Sequence, residues 1–201
     1  MGTVKTGLSM SLDGFIGGLG DQAWPVHELL LGWKFDLASF RERIGLEGGQ
    51  STIDSEIESE EYLHNGAYVM GRRMFDSGEV PWGDNPPFHA PVFVLTHHAR
   101  ATVLREGGTS FIFVTDGIES AIRQAKAVAQ DKDVFISGGA SGVQQALKAG
   151  LLDELQLHVV PVLLGEGVRL FEHLGTKPIE LERVSLVEGT GVTHLRFRII
   201  K

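Results

Sequence analysis

The sequence predicts an α/β fold built on a mixed sheet, parallel in its first part, with helices on both faces. Three observations predict it. Short apolar runs alternate with stretches of helical periodicity through the first three quarters of the chain. Several of those runs give way directly to Gly or to Ser/Thr before the next helix. Past residue 154 the helical spacing stops and alternating segments follow one another, which implies antiparallel pairing.

Val4 to Met10 reads as the first strand, which Phe15-Ile16 continue after an Asp13-Gly14 turn. Val26, Leu29/Leu30, Trp33, Leu37, Phe40 and Ile44 recur at helical spacing and predict a first amphipathic helix; residues 55–65 predict a shorter, acidic one. Ala67-Tyr68-Val69-Met70 is a buried strand ending at Gly71, and Pro91-Val92-Phe93-Val94-Leu95 is another, ending at Thr96. Phe111 to Val114 is followed by Asp116, a candidate N-cap for a helix carrying Ile118, Ile122, Ala125 and Val128/Ala129. Asp133-Val134-Phe135-Ile136 runs into Ser137-Gly138-Gly139, after which Ser141 and Gln144 form a capping-box pattern for a helix ending at Gly150. Leu155 to Val159, Glu180 to Val187 and His194 to Ile199 complete the sheet. The loops Gly45 to Thr52 and Ser77 to Pro87 are too short to link domains, so residues 1–201 are expected to form a single domain.

Composition narrows the function. A chain of 201 residues with 42% hydrophobic residues supports one well-filled core. No uninterrupted apolar run reaches the roughly 18 residues of a spanning helix, and the start of the chain does not read as a secretory signal. The absence of Cys removes disulfides, thiolate metal sites and Cys nucleophiles, and a cytoplasmic protein is expected. With 18 Lys+Arg against 26 Asp+Glu the formal charge is −8, which disfavours a nucleic-acid partner but leaves room for a local basic pocket.

Ligands of open parallel sheets bind beyond the carboxyl ends of the strands. Three such ends stand out: Gly71-Arg72-Arg73, Thr96-His97-His98 with Arg100 beyond, and Ser137-Gly138-Gly139-Ala140-Ser141. Gly-Gly between an apolar strand and a helix lets a pyrophosphate approach the amides, with the positive end of the helix at the same spot; a plain tight turn is the structural alternative. The dinucleotide fingerprint G-x-G-x-x-G is absent. Arg72 and Arg73 are either a solvated pair or phosphate ligands. His97-His98 reads equally as a polar loop or as a phosphate donor, and adjacent histidines without a companion motif do not make a metal site. Asp13 is a turn residue by type, beside the presumed cleft. Asp36, at the edge of the Trp33/Leu37/Phe40 stripe, is either a helix-surface acid or a proton relay. No G-x-S-x-G, P-loop, H-E-x-x-H or EF-hand pattern occurs.

Taken in order, Ser11-Leu12-Asp13-Gly14, Gly71-Arg72-Arg73-Met74-Phe75, Pro91 to Thr96, Ser137-Gly138-Gly139-Ala140-Ser141 and Pro161-Val162-Leu163-Leu164-Gly165-Glu166-Gly167 resemble the dihydrofolate reductase-like superfamily across nearly the whole chain. The set is most similar to the C-terminal reductase domain of the bifunctional riboflavin-biosynthesis deaminase-reductase. The resemblance implies a three-layer dihydrofolate reductase-like fold, NADPH along the strand ends and a homodimer paired through sheet edges. It assigns Gly71, Arg72, Arg73, Thr96, His97, Ser137, Gly138, Gly139, Ala140 and Ser141 to the cofactor and makes Asp36 the proton-transfer candidate; Asp13, for its place at a strand end beside the cleft, is the second catalytic candidate, and no metal is expected. A deaminase half, with its zinc-binding Cys and His, is not expected in a chain with this sequence, and Arg41 to Glu60 is longer and more acidic than a minimal member needs. The implied activity is hydride transfer from NADPH to a pyrimidine or pterin-type small molecule, first the ribosylamino-pyrimidine of riboflavin synthesis, then a dihydropterin or dihydrofolate. A non-catalytic NADPH-binding module is the alternative. Preference for NADPH over NADH would rest on Arg72, Arg73, His97 and Arg100.

Overall fold

A computed structural model describes residues 2–201, apart from the side chain of Gln22. Its contacts group into two compact units: the chain up to Thr6 with His64–Glu154, and Gly7–Leu63 with Leu155–Lys201. Strand β1 (Val4–Ser11) runs through both.

In the first unit, β2 (Asn65–Gly71), β3 (Pro91–Leu95), β4 (Val103–Leu104), β5 (Ser110–Val114) and β6 (Asp133–Ser137) lie in the order β4-β5-β3-β2-β6. Strands β5, β3, β2 and β6 are parallel, Val4 and Lys5 of β1 pair parallel with Val134 and Phe135, and only β4 is antiparallel among these pairings. The short β4 lies outside the sequence expectations. Val69, Val92, Val94, Val134 and Ile136 are fully buried, as befits strands covered on both faces and written as continuous apolar runs. Parallel neighbours need crossovers, here α4 (Arg72–Gly78) after β2 and α5 (Ile118–Ala129) after β5; α6 (Ala140–Lys148) follows β6. Helix α5 packs on β2 and β3 through Ala121, Ile122, Ala125 and Ala129, and the small side chains of the three alanines allow close approach. Phe75, Trp82, Phe88, Phe111 and Phe113 interlock with centroids 5.0–6.0 Å apart and pin α4 and the segment after it.

In the second unit, residues Gly7 to Ser11 of β1 precede β7 (Glu154–Val160), β9 (Thr193–Ile199) and β8 (Leu181–Glu188) in the sheet order. Strands β8 and β9 form an antiparallel hairpin, as the C-terminal grammar predicts. Helices α1 (Ala23–Leu31), α2 (Ala38–Arg43) and α3 (Ile53–Leu63) complete the unit.

Four local expectations are corrected. The single helix through Val26 and Ile44 is broken: α1 stops at Leu31, a 3-10 turn spans Gly32–Lys34, and Leu37 is extended at ψ 136° before α2. The break is held by backbone pairing, with Gln50 N–H donating to Asp36 O and Ala38 N–H to Gln50 O. Phe15-Ile16 do not continue the first strand, which ends at Ser11; Phe15 O accepts from Ser11 N–H across the turn, Phe15 bridges to Arg169 and Ile16 N–H donates to Val168 O. Gly117 at φ +93°, not Asp116, is the N-cap of α5. Gly139 caps α6 without any side-chain hydrogen bond, and Ser141 Oγ instead accepts from Gln145 Nε2 at 3.0 Å.

Candidate functional site

Strands β3, β2 and β6 are consecutive in the sheet, with Gly71 level with Leu95 and Met70 level with Ser137. The three carboxyl ends singled out in the sequence are therefore side by side, where an open parallel sheet presents its ligand. Gly71 caps α4 in an extended conformation, and a Cβ there would meet nothing within 4 Å. Ser137 is buried at the end of β6. Gly138 (φ +59°) and Gly139 (φ +74°) are both left-handed, which L side chains rarely adopt. They differ in surroundings. A Cβ on Gly138 would sit 2.6 Å from Met74 Sδ, whereas one on Gly139 would enter open space. Ala140 is buried in the first turn of α6 and Ser141 is exposed. Gly139 supplies no side-chain cap to α6, whose N-terminus carries the positive end of the helix dipole. An open glycine cradle, uncapped amides and nearby guanidinium groups fit a pyrophosphate.

The flanking polar residues divide in two. Arg73 and His97 are exposed, and among the described residues neither side chain has an ion-pair partner. Arg72 is held by Asp76 (Nε–Oδ1 2.6 Å) and Arg100 by Glu79, so these cations are already engaged. The Thr96 hydroxyl closes its own turn, accepting from His98 N–H at 3.1 Å.

Neither catalytic candidate is a free buried acid. Asp36 is exposed, in the break between helices. Asp13 accepts from Ser11 Oγ (2.6 Å), Leu164 N–H (3.1 Å) and Gly165 N–H (2.7 Å), which together hold its carboxyl down at about 2. It is an anionic clamp on the Pro161–Gly167 segment. Because the folded value lies below the unfolded one, the stabilisation is complete above the ordinary pKa of 3.8 and fades as the pH falls toward about 2. Asp13→Asn is expected to speed amide hydrogen exchange at Leu164 and Gly165 about tenfold at neutral pH; unchanged rates would refute the clamp.

What the sequence reading passed over lies on α3. Asp54, Glu58 and Glu61 are four and three residues apart, so they share one helix face, and that face is buried; Asp54 is 2% and Glu58 1% exposed, while Ile53 (45%) and Leu63 (67%) face outward. Opposite them are His158, buried at 2% in a strand whose sequence alternates, and His194. His194 Nε2 donates to Asp54 Oδ1 at 2.9 Å, the two histidine Nδ1 atoms are 2.7 Å apart, and His158 Nε2 lies 3.5 Å from Glu61 Oε1. Donor accounting orders the chain. Asp54 is an acceptor, so the proton of neutral His194 is on Nε2 and its Nδ1 accepts from His158 Nδ1–H. Burial lowers the His194 pKa, although Asp54 opposes it. Burial would raise the Asp54 carboxyl, but the His194 and Thr190 hydrogen bonds outweigh this and lower it. Burial likewise lowers Lys34, against the pull of Glu61 and Glu58. Glu61 lies so close over Gly7 that a Cβ there would fall on its carboxylate. The signal available in the sequence was an acidic stripe at helical spacing together with two histidines in apolar strands. Among the described residues, no group of three or more His, Asp or Glu side chains is arranged to hold a metal, and no helix is long and apolar enough to cross a membrane.

Comparison with known proteins bears on this arrangement. A family profile described as the RibD C-terminal domain matches residues 3–195. The uncharacterized protein YyaP of Bacillus subtilis (strain 168) is 31% identical over 109 residues, which is 51% of this chain and 57% of YyaP, so the match spans little more than half of that relative. A Shewanella sp. PV-4 protein assigned to riboflavin biosynthesis superposes with a TM-score of 0.68 at 21% identity, covering 99% of both chains. Enterococcus faecalis dihydrofolate reductase, solved with NADP(H), superposes with a TM-score of 0.56 at 16% identity, covering 99% of this chain and 97% of that one. The fold is thus the dihydrofolate reductase-like one, and riboflavin-biosynthesis reductases share it at 13–14% identity.

Proposed function

Because the chain belongs to the RibD C-terminal domain family, we propose that it is an NADPH-dependent reductase of a pyrimidine or pterin-type small molecule, most closely the 5-amino-6-(5-phosphoribosylamino)uracil of riboflavin biosynthesis. The observation that carries the reading is the convergence of Gly71, Thr96 and Gly138-Gly139 at three adjacent strand ends, beside an uncapped α6. Gly138, Gly139, Ala140 and Ser141 would receive the pyrophosphate on backbone amides, buried Ser137 would fix the end of β6, and Arg72, Arg73, Thr96 and His97 would meet the remaining phosphates. When bound, the cofactor supplies the hydride. The chain's own part is to orient the dinucleotide and exclude water around it.

Neither Asp13, engaged as a clamp, nor Asp36, exposed, adds a specific argument for proton transfer. A cytoplasmic homodimer acting on a small molecule, with no nucleic-acid partner, belongs to the same reading. Strand β8 ends the order of its unit and exposes Leu181, Val184 and Leu186, which supports pairing through that edge.

The test is to mix the protein with NADPH and each candidate substrate and follow loss of the reduced-nicotinamide absorbance. Turnover of the ribosylamino-pyrimidine is expected. Turnover of dihydrofolate alone reassigns the substrate. Tight NADPH binding with no turnover across a broad panel points to the non-catalytic module, and no NADPH binding overturns the proposal.

A further inference from the structure

At the ends of β2 and β3, Arg72 and Arg100, both named above for the phosphates of the cofactor, are already paired with acids of this chain. The guanidinium carbon of Arg72 lies 6.0 and 5.9 Å from the ring centroids of Phe75 and Phe113, and that of Arg100 lies 5.2 Å from each. Two cations therefore rest against the same aromatic pair. Arg72 is held within its own helix by Asp76, one turn on. Arg100 is held across the chain: Nη2 donates to Glu79 Oε1 at 2.6 Å and Nη1 to Oε2 at 3.1 Å, a two-pronged contact that joins the segment after α4 to the segment after β3. Arg105 Nη2 is 3.9 Å from Glu79 Oε1, and Asp76 acts electrostatically on both Arg100 and Glu79. Three guanidinium groups thus share two carboxylates.

Glu79 presents to Arg100 the same pair of oxygens that a phosphate monoester would present. The pair is partly open to solvent, with side-chain exposures of 38% and 26%, so water screens it and it contributes little to stability. A phosphate dianion arriving at Arg100 replaces Glu79 rather than adding to it. The gain from the extra phosphate is then its contact with Arg100 less the contact given up.

Building on the NADPH reading, we propose that Glu79 is a specificity-determining residue, an internal competitor that occupies Arg100 and so limits how strongly the protein prefers a dinucleotide carrying the 2′-phosphate over one without it. Arg100 supplies the attraction and Glu79 sets its size. Loss of Glu79 sharpens the preference, and loss of Arg100 blunts it.

The test measures dissociation constants of the full chain for NADPH and NADH, and for adenosine 2′,5′-bisphosphate and AMP as probes of the phosphate alone. Glu79→Gln keeps the shape and removes the charge. It is expected to bind both 2′-phosphorylated ligands about threefold more tightly, leaving NADH and AMP unchanged. Arg100→Met is expected to weaken the 2′-phosphorylated ligands about tenfold and to spare the others, and the double variant should match Arg100→Met because the competitor then has nothing to occupy. If Glu79→Gln moves all four ligands alike, the residue is a structural strap and the inference is overturned. It is also overturned if the wild-type protein binds NADPH but the ratio stays fixed in both variants. Wild-type protein that binds none of the four overturns the reductase reading, and this inference with it.

Discussion

Gly139→Val is expected to weaken NADPH binding at least a hundredfold while the protein stays folded. Two features of the position separate these effects. Its φ of +74° is left-handed, so any side chain there carries a backbone cost of about 1–3 kcal/mol, which for a chain of this size lowers the melting temperature by about 2–12 °C. A Cβ on it meets no protein atom within 4 Å, so no packing penalty adds to that cost. The branched side chain instead projects into the space in front of the first turn of α6, where an anion would meet the free amides. Gly139→Ala isolates the backbone cost, since it has the same φ with less bulk. Gly138→Val is the contrasting case. There the side chain meets Met74 Sδ at 2.6 Å, so damage to the fold and damage to the site arrive together. Calorimetric titration with NADPH, paired with thermal melts, checks the expectation. Wild-type affinity in a folded Gly139→Val protein would remove the glycine turn from the binding site.

The strand ends were legible in the sequence because their signals are local. An apolar run that stops at Gly71, Thr96 or Ser137-Gly138-Gly139 marks both the strand and the turn that must follow it, and in a parallel sheet those ends fall on one side whatever the strand order. The first helix was misread because its spacing records only which residues face inward. Leu37 is buried from an extended backbone, held by pairing with Gln50, and the apolar periodicity is the same as if the helix had continued. The acidic helix was recognised, but its orientation was not. Inward-facing apolar residues are the rule a reader applies, and α3 reverses it by burying Asp54, Glu58 and Glu61 while exposing Ile53 and Leu63. That reversal is stable only because His158, His194, Lys34 and Arg43 come from distant segments to meet the carboxylates, a pairing between residues far apart in sequence that no local pattern announces. Asp36 drew attention as the acid nearest an apolar stripe; the buried acids were one helix further on.

Glu58→Leu is expected to cost about 3 kcal/mol of stability, a fall of about 6–12 °C in melting temperature. One oxygen, Oε1, accepts from Arg43 at both Nε (3.1 Å) and Nη2 (2.8 Å). The guanidinium lies 4.0 Å from the Tyr62 ring centroid and 5.2 Å from that of Phe40, so without Glu58 it faces aromatic carbon and keeps only the longer-range pull of Glu61. Removing one partner of a buried pair leaves the other charged and desolvated, which costs about 3–5 kcal/mol, whereas removing both is often close to neutral. Two details place this pair at the lower end. Arg43 keeps 22% of its side-chain exposure, so water relieves part of the stranded charge. The second oxygen of Glu58 has no hydrogen-bond partner among the described residues, so its loss releases an existing penalty. The double variant Arg43→Met/Glu58→Leu should therefore recover to within about 1 kcal/mol of the wild-type protein. Denaturant titrations of the three variants form the cycle. A Glu58→Leu protein as stable as wild type would mean that Arg43 finds water or another acid at no cost, whereas a double variant as unstable as the single one would mean that this face of α3 depends on the shape of the two side chains and not on their charge.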